Sequence, residues 1–319
     1  MPSSPVVAEV VRSGLVEGAH HGAVVHLAPD GERRWAVGDV DAPMFARSCL
    51  KPLQAVGMVE AGLAARGRLL ALACASHSGE PFHVAGVDAL LASVGLDRSA
   101  LQNTPLVPMD EAAALAHVRA GGGPEPVLAD CSGKHAGMLA TCVANGWDTS
   151  SYLDPDHPLQ VRLRGAVADL TGEPVDVTGV DGCGAPLFST TLTGLARAFG
   201  RLVLAPPSSA AGQVAAAVTG WPEHVSGTRR DEARLLAAFP GAVAKAGAEA
   251  CYAVAMPDGS AFALKIEDGG ARARPVVMAA ALRRAGHEHP VLDRDGTHRL
   301  LGGGLPVGEV RATDVVRGV

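Results

Sequence analysis

Apolar and polar positions along the chain change period twice. An apolar run from Val6 to Val11 is followed by Gly22–Leu27, the turn Pro29-Asp30-Gly31 and Arg34–Val37, which predicts a strand and then a hairpin. Gly38–Ala42 reads as loop. From Leu50 the spacing becomes helical, with Leu50, Leu53, Gly57, Ala61 and Ala64 on one face. Pro52 fits only in the first turn of that helix. Leu69–Ala75 is a short apolar run that suits a buried helix or strand. Further helices start at Pro81, after Asp110, after Cys131 and at Pro158, and helix dominates from Ser189 to Phe239. Val175–Thr178 is strand-like. Beyond it the period returns to two: Cys251–Met256, the turn Pro257-Asp258-Gly259 and Ala261–Glu267 form a second hairpin. A helix over Val276–Arg284 and a glycine-rich loop with a last short strand from Leu301 close the chain.

Strands at both ends with helices between them predict an α/β fold: an antiparallel central sheet made from both chain ends, flanked by helices, with a helical lobe inserted. The expected division is one catalytic unit over 1–319. Residues 1–45 and 240–319 form the sheet part, and 46–239 form the largely helical part that carries most of the candidate chemistry. Only 3% of residues are aromatic while glycine is abundant, so small aliphatic side chains must build a closely packed core. A net charge of −6, with no basic cluster interleaved with aromatics, argues against a nucleic-acid partner. No apolar run reaches spanning length, and the opening Met1-Pro2-Ser3-Ser4 lacks the layout of a signal peptide. The expectation is a cytosolic protein whose six cysteines are reduced, metal-bound or catalytic.

Ser48 and Lys51 stand three residues apart where the first helix begins. A hydroxyl is a weak nucleophile until a base lies within hydrogen-bond reach, and a lysine can be that base if burial and positive neighbours such as Arg47 favour its neutral form. The plain alternative is a capping serine beside a solvated lysine. Ser76-His77-Ser78-Gly79-Glu80 is a polar turn after a buried element, a common place for site residues; loop polarity alone also accounts for His77. Cys131 opens a helix with Lys134 and His135 at i+3 and i+4 on its face, and Cys183 sits in the glycine-rich turn around Asp181. Two such thiolates suit zinc; from ligand chemistry His135 is the natural third donor, because a lysine must first lose its proton. The alternative is two small buried cysteines. Lys245-Ala246-Gly247 ahead of a strand is similar to the K-T-G element that accompanies S-x-x-K in β-lactamase-type enzymes, with mid-strand Lys265 as the competing lysine.

Six blocks carry a resemblance over nearly the whole chain: FARSCLKPLQA (45–55), ASHSGE (75–80), DCSGKHAGM (130–138), GVDGCGAP (179–186), KAGAEA (245–250) and ALKIEDG (263–269). Their content and order resemble the rhizobial-type, class 3 L-asparaginases, a family similar in fold to serine β-lactamases and glutaminases. The resemblance implies Ser48 as nucleophile with Lys51 as its base, and Ser76 paired with a second lysine, Lys245 in preference to Lys265. It implies zinc held by Cys131, Lys134 and Cys183, so that His135, Asp181 and Arg47, with His77, become groups around metal and substrate. It further implies a homodimer that releases aspartate and ammonia from L-asparagine. The rival activities are a glutaminase, a β-lactam or ester hydrolase, a zinc-dependent amidohydrolase in which Ser48 only caps a helix, and a non-catalytic amino-acid-binding protein. Ala250 stands where the KAGAEA block would lead one to expect glycine.

Overall fold

The computed structural model describes residues 4–319. Eleven strands are present among them: β1 (Val6–Arg12), β2 (Leu15–Leu27), β3 (Arg33–Val37), β4 (Met44–Phe45), β5 (Thr178–Val180), β6 (Pro186–Thr190), β7 (Val243–Ala246), β8 (Cys251–Ala255), β9 (Ala261–Ile266), β10 (His298–Gly302) and β11 (Leu305–Ala312). The main sheet runs β10-β11-β1-β2-β9-β8-β7, with β3 beside β2, and every pairing in it is antiparallel. β2 joins its two halves. Its first part pairs β1, and from Gly22 onward it pairs β9 on one edge and β3 on the other.

This is the predicted antiparallel sheet from both chain ends, flanked by helices. β8 and β9 are buried almost throughout, because the helices Leu192–Leu204 and Ala273–Arg284 both pack on this part of the sheet. Their Ala253, Ala255, Ala261 and Ala263 are all but inaccessible, as strands covered on two faces require. The helical lobe is built around Lys51–Glu60, Arg68–Ala73, Ser132–Asn145 and Pro158–Thr171. The run Leu69–Ala75, open between helix and strand in sequence, is helical over Arg68–Ala73. Close approach there depends on Gly133, where a Cβ would stand 2.4 Å from the Leu72 carbonyl oxygen.

Three local readings need correction. Within and beside the largely helical middle of the chain, β4, β6 and β5 form a small second sheet in that order. Helix was expected from Ser189, but the extended run Pro186–Thr190 comes first, and the helix starts at Leu192 after Thr191 accepts from Gly194 N. β-branched Thr190 and Thr191 and the leading proline favour the extended form. The strand expected at Val175–Thr178 instead begins at Thr178. At the far end, Leu301 lies within a hairpin, β10–β11, that turns at Gly303-Gly304. No helix among the described residues is long and apolar enough to cross a membrane.

Candidate active site

The short β4 strand delivers the chain to a 3₁₀ turn, Arg47–Leu50, which continues into the helix Lys51–Glu60 with Pro52 in its first turn. Arg47 has φ +53°, a conformation that costs a non-glycine residue of the order of 1 kcal/mol. This turn rests on the end of β7. A Cβ at Gly247 would come within 2.6 Å of the Ala46 carbonyl oxygen and 3.2 Å of Cys49 N, so only glycine lets the two segments meet. Cys49 Sγ donates to the Lys245 carbonyl oxygen at 3.1 Å, fixing the contact.

Between this junction and the two cysteine-bearing turns lies a cavity of about 170 Å³, lined by Arg47, Ser48, Lys51, Thr104, Leu106, Asp130, Cys131, Asp181, Gly182, Cys183 and Ala248. It is smaller than the few hundred Å³ of a drug-sized pocket, and so suits one small polar molecule. Arg47 Nε donates to Asp181 Oδ1 at 2.7 Å, and the same oxygen accepts from Gly182 N. The pair puts a guanidinium and a carboxylate on one wall.

Ser48 and Lys51 both face this space, but the hydroxyl that touches Lys51 is Ser76's. Lys51 Nζ donates to Ser76 Oγ at 3.0 Å and to Asp130 Oδ2 at 3.4 Å. Burial works against the charge on Asp130, yet Lys51 foremost, then His77 and Lys245, holds its carboxyl below the usual range. The expected pairing of Ser76 with Lys245 is not what the structure contains. Lys245, fully buried on β7, donates to Glu232 Oε1 at 3.0 Å and to the Ala246 carbonyl oxygen at 2.6 Å. The physical reason is plain: a dry ammonium needs a counter-charge, and a carboxylate satisfies that need better than a hydroxyl. Lys265 lies elsewhere, its Nζ on the Glu249 carbonyl oxygen at 2.6 Å.

The far wall holds Cys131, at the start of the helix Ser132–Asn145, and Cys183 in its glycine turn. Cys131 foremost, then the charge of Lys134 and the contact with the His135 ring, pulls the Cys183 thiol far below its ordinary value against the effect of burial. The Cys183 contact foremost, then burial, pushes the Cys131 thiol up. Lys134 Nζ donates to Cys183 Sγ at 3.3 Å. Both sulfurs and a ring nitrogen of His135 lie within 4.8 Å of one another. His135 Nδ1 is engaged by the Tyr152 hydroxyl at 2.8 Å, whereas its Nε2 is buried with no hydrogen-bond partner; burial depresses the ring to about 4, so it is neutral. Two sulfurs, an amine and an orphaned imidazole nitrogen fit a thiophilic cation.

His77 does not reach the cavity wall. It is fully buried, with Nδ1 accepting from Gly79 N at 3.1 Å and Nε2 on Ser132 Oγ at 2.8 Å. It ties the Ser76 turn to the Cys131 helix. Sequence reasoning passed over Asp130, although it begins the DCSGKHAGM block, and over Thr104 and Leu106, which lie in a loop without any motif. Glu232 carried no signal, since nothing local marks a helical glutamate as the partner of a strand lysine thirteen positions on.

Residues 8–312 match the family model described as L-asparaginase II. The chain belongs to the L-asparaginase II family. Membership implies an amidohydrolase. No curated protein matches the sequence. Among solved structures, similar chains include a β-lactamase from Mycobacterium bovis (17% identity over 78% of this chain and 87% of that one, TM-score 0.41). A putative β-lactamase from Bacteroides dorei (14% identity, 78% and 87% coverage, TM-score 0.40) and a Bacillus glutaminase (12% identity, 77% and 83% coverage, TM-score 0.35) are similar too. At these scores the likenesses add nothing beyond the sheet-and-helix layout already described.

Proposed function

We propose that this L-asparaginase II family member, of the class 3 type, hydrolyses L-asparagine to aspartate and ammonia through an ester on Ser48. The observation that carries the reading is the small cavity on which Ser48, Lys51 and the Arg47–Asp181 pair converge. Arg47 offers a guanidinium to the substrate α-carboxylate, and the carboxylates of Asp181 and Asp130 face its α-ammonium. Lys51, once neutral, takes the Ser48 proton. Ser48 Oγ then bonds to the side-chain amide carbon, the C–N bond breaks, and the proton on Lys51 passes to the leaving nitrogen, so ammonia departs. Water repeats the sequence on the ester and restores Ser48. Ser76 can both accept and donate, which keeps Lys51 in position in either protonation state. Ser48 and Ala248 line the cavity, and their backbone N–H groups are the candidate donors to the oxyanion.

Cys131, Cys183 and Lys134, with His135 Nε2 as the alternative nitrogen, are the groups that would hold zinc. Bound there, the ion supplies positive charge that orients substrate at the back wall, and a seryl nucleophile leaves it no need to generate hydroxide. We further propose a cytosolic location, with which six unpaired cysteines are consistent, and, from the family resemblance alone, a homodimer.

One contact favours a second reading, in which Ser76 is the nucleophile because Lys51 touches its hydroxyl. Acid quench during turnover of asparagine, followed by peptide mass spectrometry, separates the two. The expected aspartyl ester is on the peptide containing Ser48; an ester on Ser76 supports the alternative, and turnover without any ester in wild type and with full activity in Ser48→Ala defeats both. Rates on glutamine and a chromogenic β-lactam fix the substrate by kcat/KM.

A further inference from the structure

Glu232 lies outside the cavity, on the helix Asp231–Ala238, and is completely buried. Its Oε1 accepts from two donors on β7: Lys245 Nζ at 3.0 Å and Ala246 N at 2.7 Å. Its Oε2 lies 3.4 Å from Arg230 Nη2. Two residues beyond Ala246, Ala248 lines the cavity, and between them Gly247 is seated against Ala46 and Cys49. One carboxylate oxygen therefore holds both the charge of Lys245 and the backbone of the strand end that meets the Ser48 turn.

We propose that Glu232 is a positioning residue for the reaction, which pins the β7 end against the Ser48 turn and keeps Lys245 as a fixed positive charge beside the cavity. The inference rests on the amide-hydrolysis reading above. It also changes the part played by Lys245, from a base for Ser76 to a standing charge that favours anionic substrate and oxyanion. The charged groups that face Glu232 are Lys245 on β7, Arg230 in the preceding loop and Arg274 on the helix Ala273–Arg284, with the Tyr252 hydroxyl on β8 nearby. Lys245 is faced by Glu232, by Lys51 across the junction and by the Cys49 thiol, with Asp130 beyond. Burial alone draws the Lys245 amine down and Lys51 adds to this, while Glu232 pushes it up. Without the carboxylate, Lys245 sheds its proton at lower pH, and a charge-dependent step fails sooner as pH rises.

The test compares wild type, Glu232→Gln and Glu232→Asp on whichever of asparagine, glutamine and a chromogenic β-lactam the wild type hydrolyses fastest, with kcat and KM measured from pH 5 to pH 11. Glutamine at 232 keeps an acceptor for Ala246 N and removes the charge; the expected result is an alkaline limb of kcat displaced downward by about 1–3 pH units, with KM changed less than kcat. Aspartate keeps the charge on a shorter arm; the expected result is a lower kcat with the limb where the wild type has it. An active wild type whose profile Glu232→Gln reproduces overturns the inference alone, as does a displaced limb in Glu232→Asp, which remains decisive should the glutamine variant not fold. A wild type inert on all three amides overturns the reading of function and this inference with it.

Discussion

Lys51 on the helical side and Lys245 on the sheet side are 2% and 0% exposed, and they approach the same junction from opposite directions. Their partners differ. Lys51 has a hydroxyl at 3.0 Å and a carboxylate at 3.4 Å. Lys245 has a carboxylate at 3.0 Å and a carbonyl at 2.6 Å, and Glu232 is itself locked to the strand backbone. Both are buried lysines of the same chain, yet in the function proposed above the first transfers a proton and the second keeps its charge. Residue type and burial do not distinguish these roles. The geometry and charge of the nearest acceptor do.

The strongest attempt to break this contrast is Lys51→Met, which keeps the volume of the side chain and removes the amine. With Lys51 as general base, kcat/KM falls about 10²–10⁴-fold, while the far-UV circular dichroism spectrum is unchanged. A variant within threefold of wild type at its best pH would remove Lys51 from the chemistry and leave Lys245 and Lys134 as the remaining buried amines.

The sequence made the Lys51 side legible because its parts are local. Ser48 and Lys51 are one helical turn apart, Pro52 marks the helix start, and each cysteine lies in a recognisable glycine-flanked or helix-opening block. The sheet from both ends was readable for the same reason, since Pro29-Asp30-Gly31 and Pro257-Asp258-Gly259 announce hairpins and the flanking runs alternate. What could not be read was pairing at a distance. That Ser76 faces Lys51 and not Lys245 depends on how the turn after Ala75 packs across the helix start. That Glu232 meets Lys245 depends on how the helix Asp231–Ala238 docks on an edge strand. Neither leaves a period or a motif. The small β4-β6-β5 sheet escaped likewise, because strands of two, three and five residues are too short to show alternation.

A second measurement sharpens the contrast through stability. Burial alone would raise the Glu232 carboxyl, but Lys245 first, then Arg230, Arg274 and the Ala246 N–H, bring it down to about 2. The Lys245 amine is also displaced downward, chiefly by burial, so the two partners' shifts oppose one another in a stability ledger. They separate by pH: below pH 5 the lysine is protonated in both folded and unfolded chains, and only the carboxylate titrates. A depressed carboxylate gives stability that is present above its unfolded value near 4.5 and is lost as pH falls toward 2. The contribution is of the order of 3 kcal/mol. Denaturant midpoints taken between pH 5 and pH 2.5 therefore fall more steeply for wild type than for Glu232→Gln. Equal slopes would mean that the pair is not the ion pair described, and the sheet-side lysine would lose its distinction from Lys51.

The smallest effect is expected at Ala250, in the turn that carries the chain from the Lys245 strand back into β8. It has φ +49° beside Glu249 at φ +57° and is buried, so an alanine stands in the left-handed region that favours glycine. Replacing it by glycine relieves about 1–2 kcal/mol of backbone strain. Against that, the unfolded chain gains freedom worth about 0.4–1 kcal/mol, and a buried methyl worth about 0.8 kcal/mol is lost. The terms nearly cancel, and Ala250→Gly is expected to change unfolding free energy by less than about 1 kcal/mol. Ala250→Val, with a branched side chain in the same backbone conformation, is expected to destabilise clearly more than the glycine variant. A near-neutral glycine alongside a damaging valine would explain how alanine persists at a position suited to glycine: its methyl group offsets the strain it causes. Should glycine instead destabilise by 2 kcal/mol or more, the turn behind Lys245 would depend on that methyl contact, and the rigidity of the sheet side would owe as much to apolar packing as to the Glu232 carboxylate.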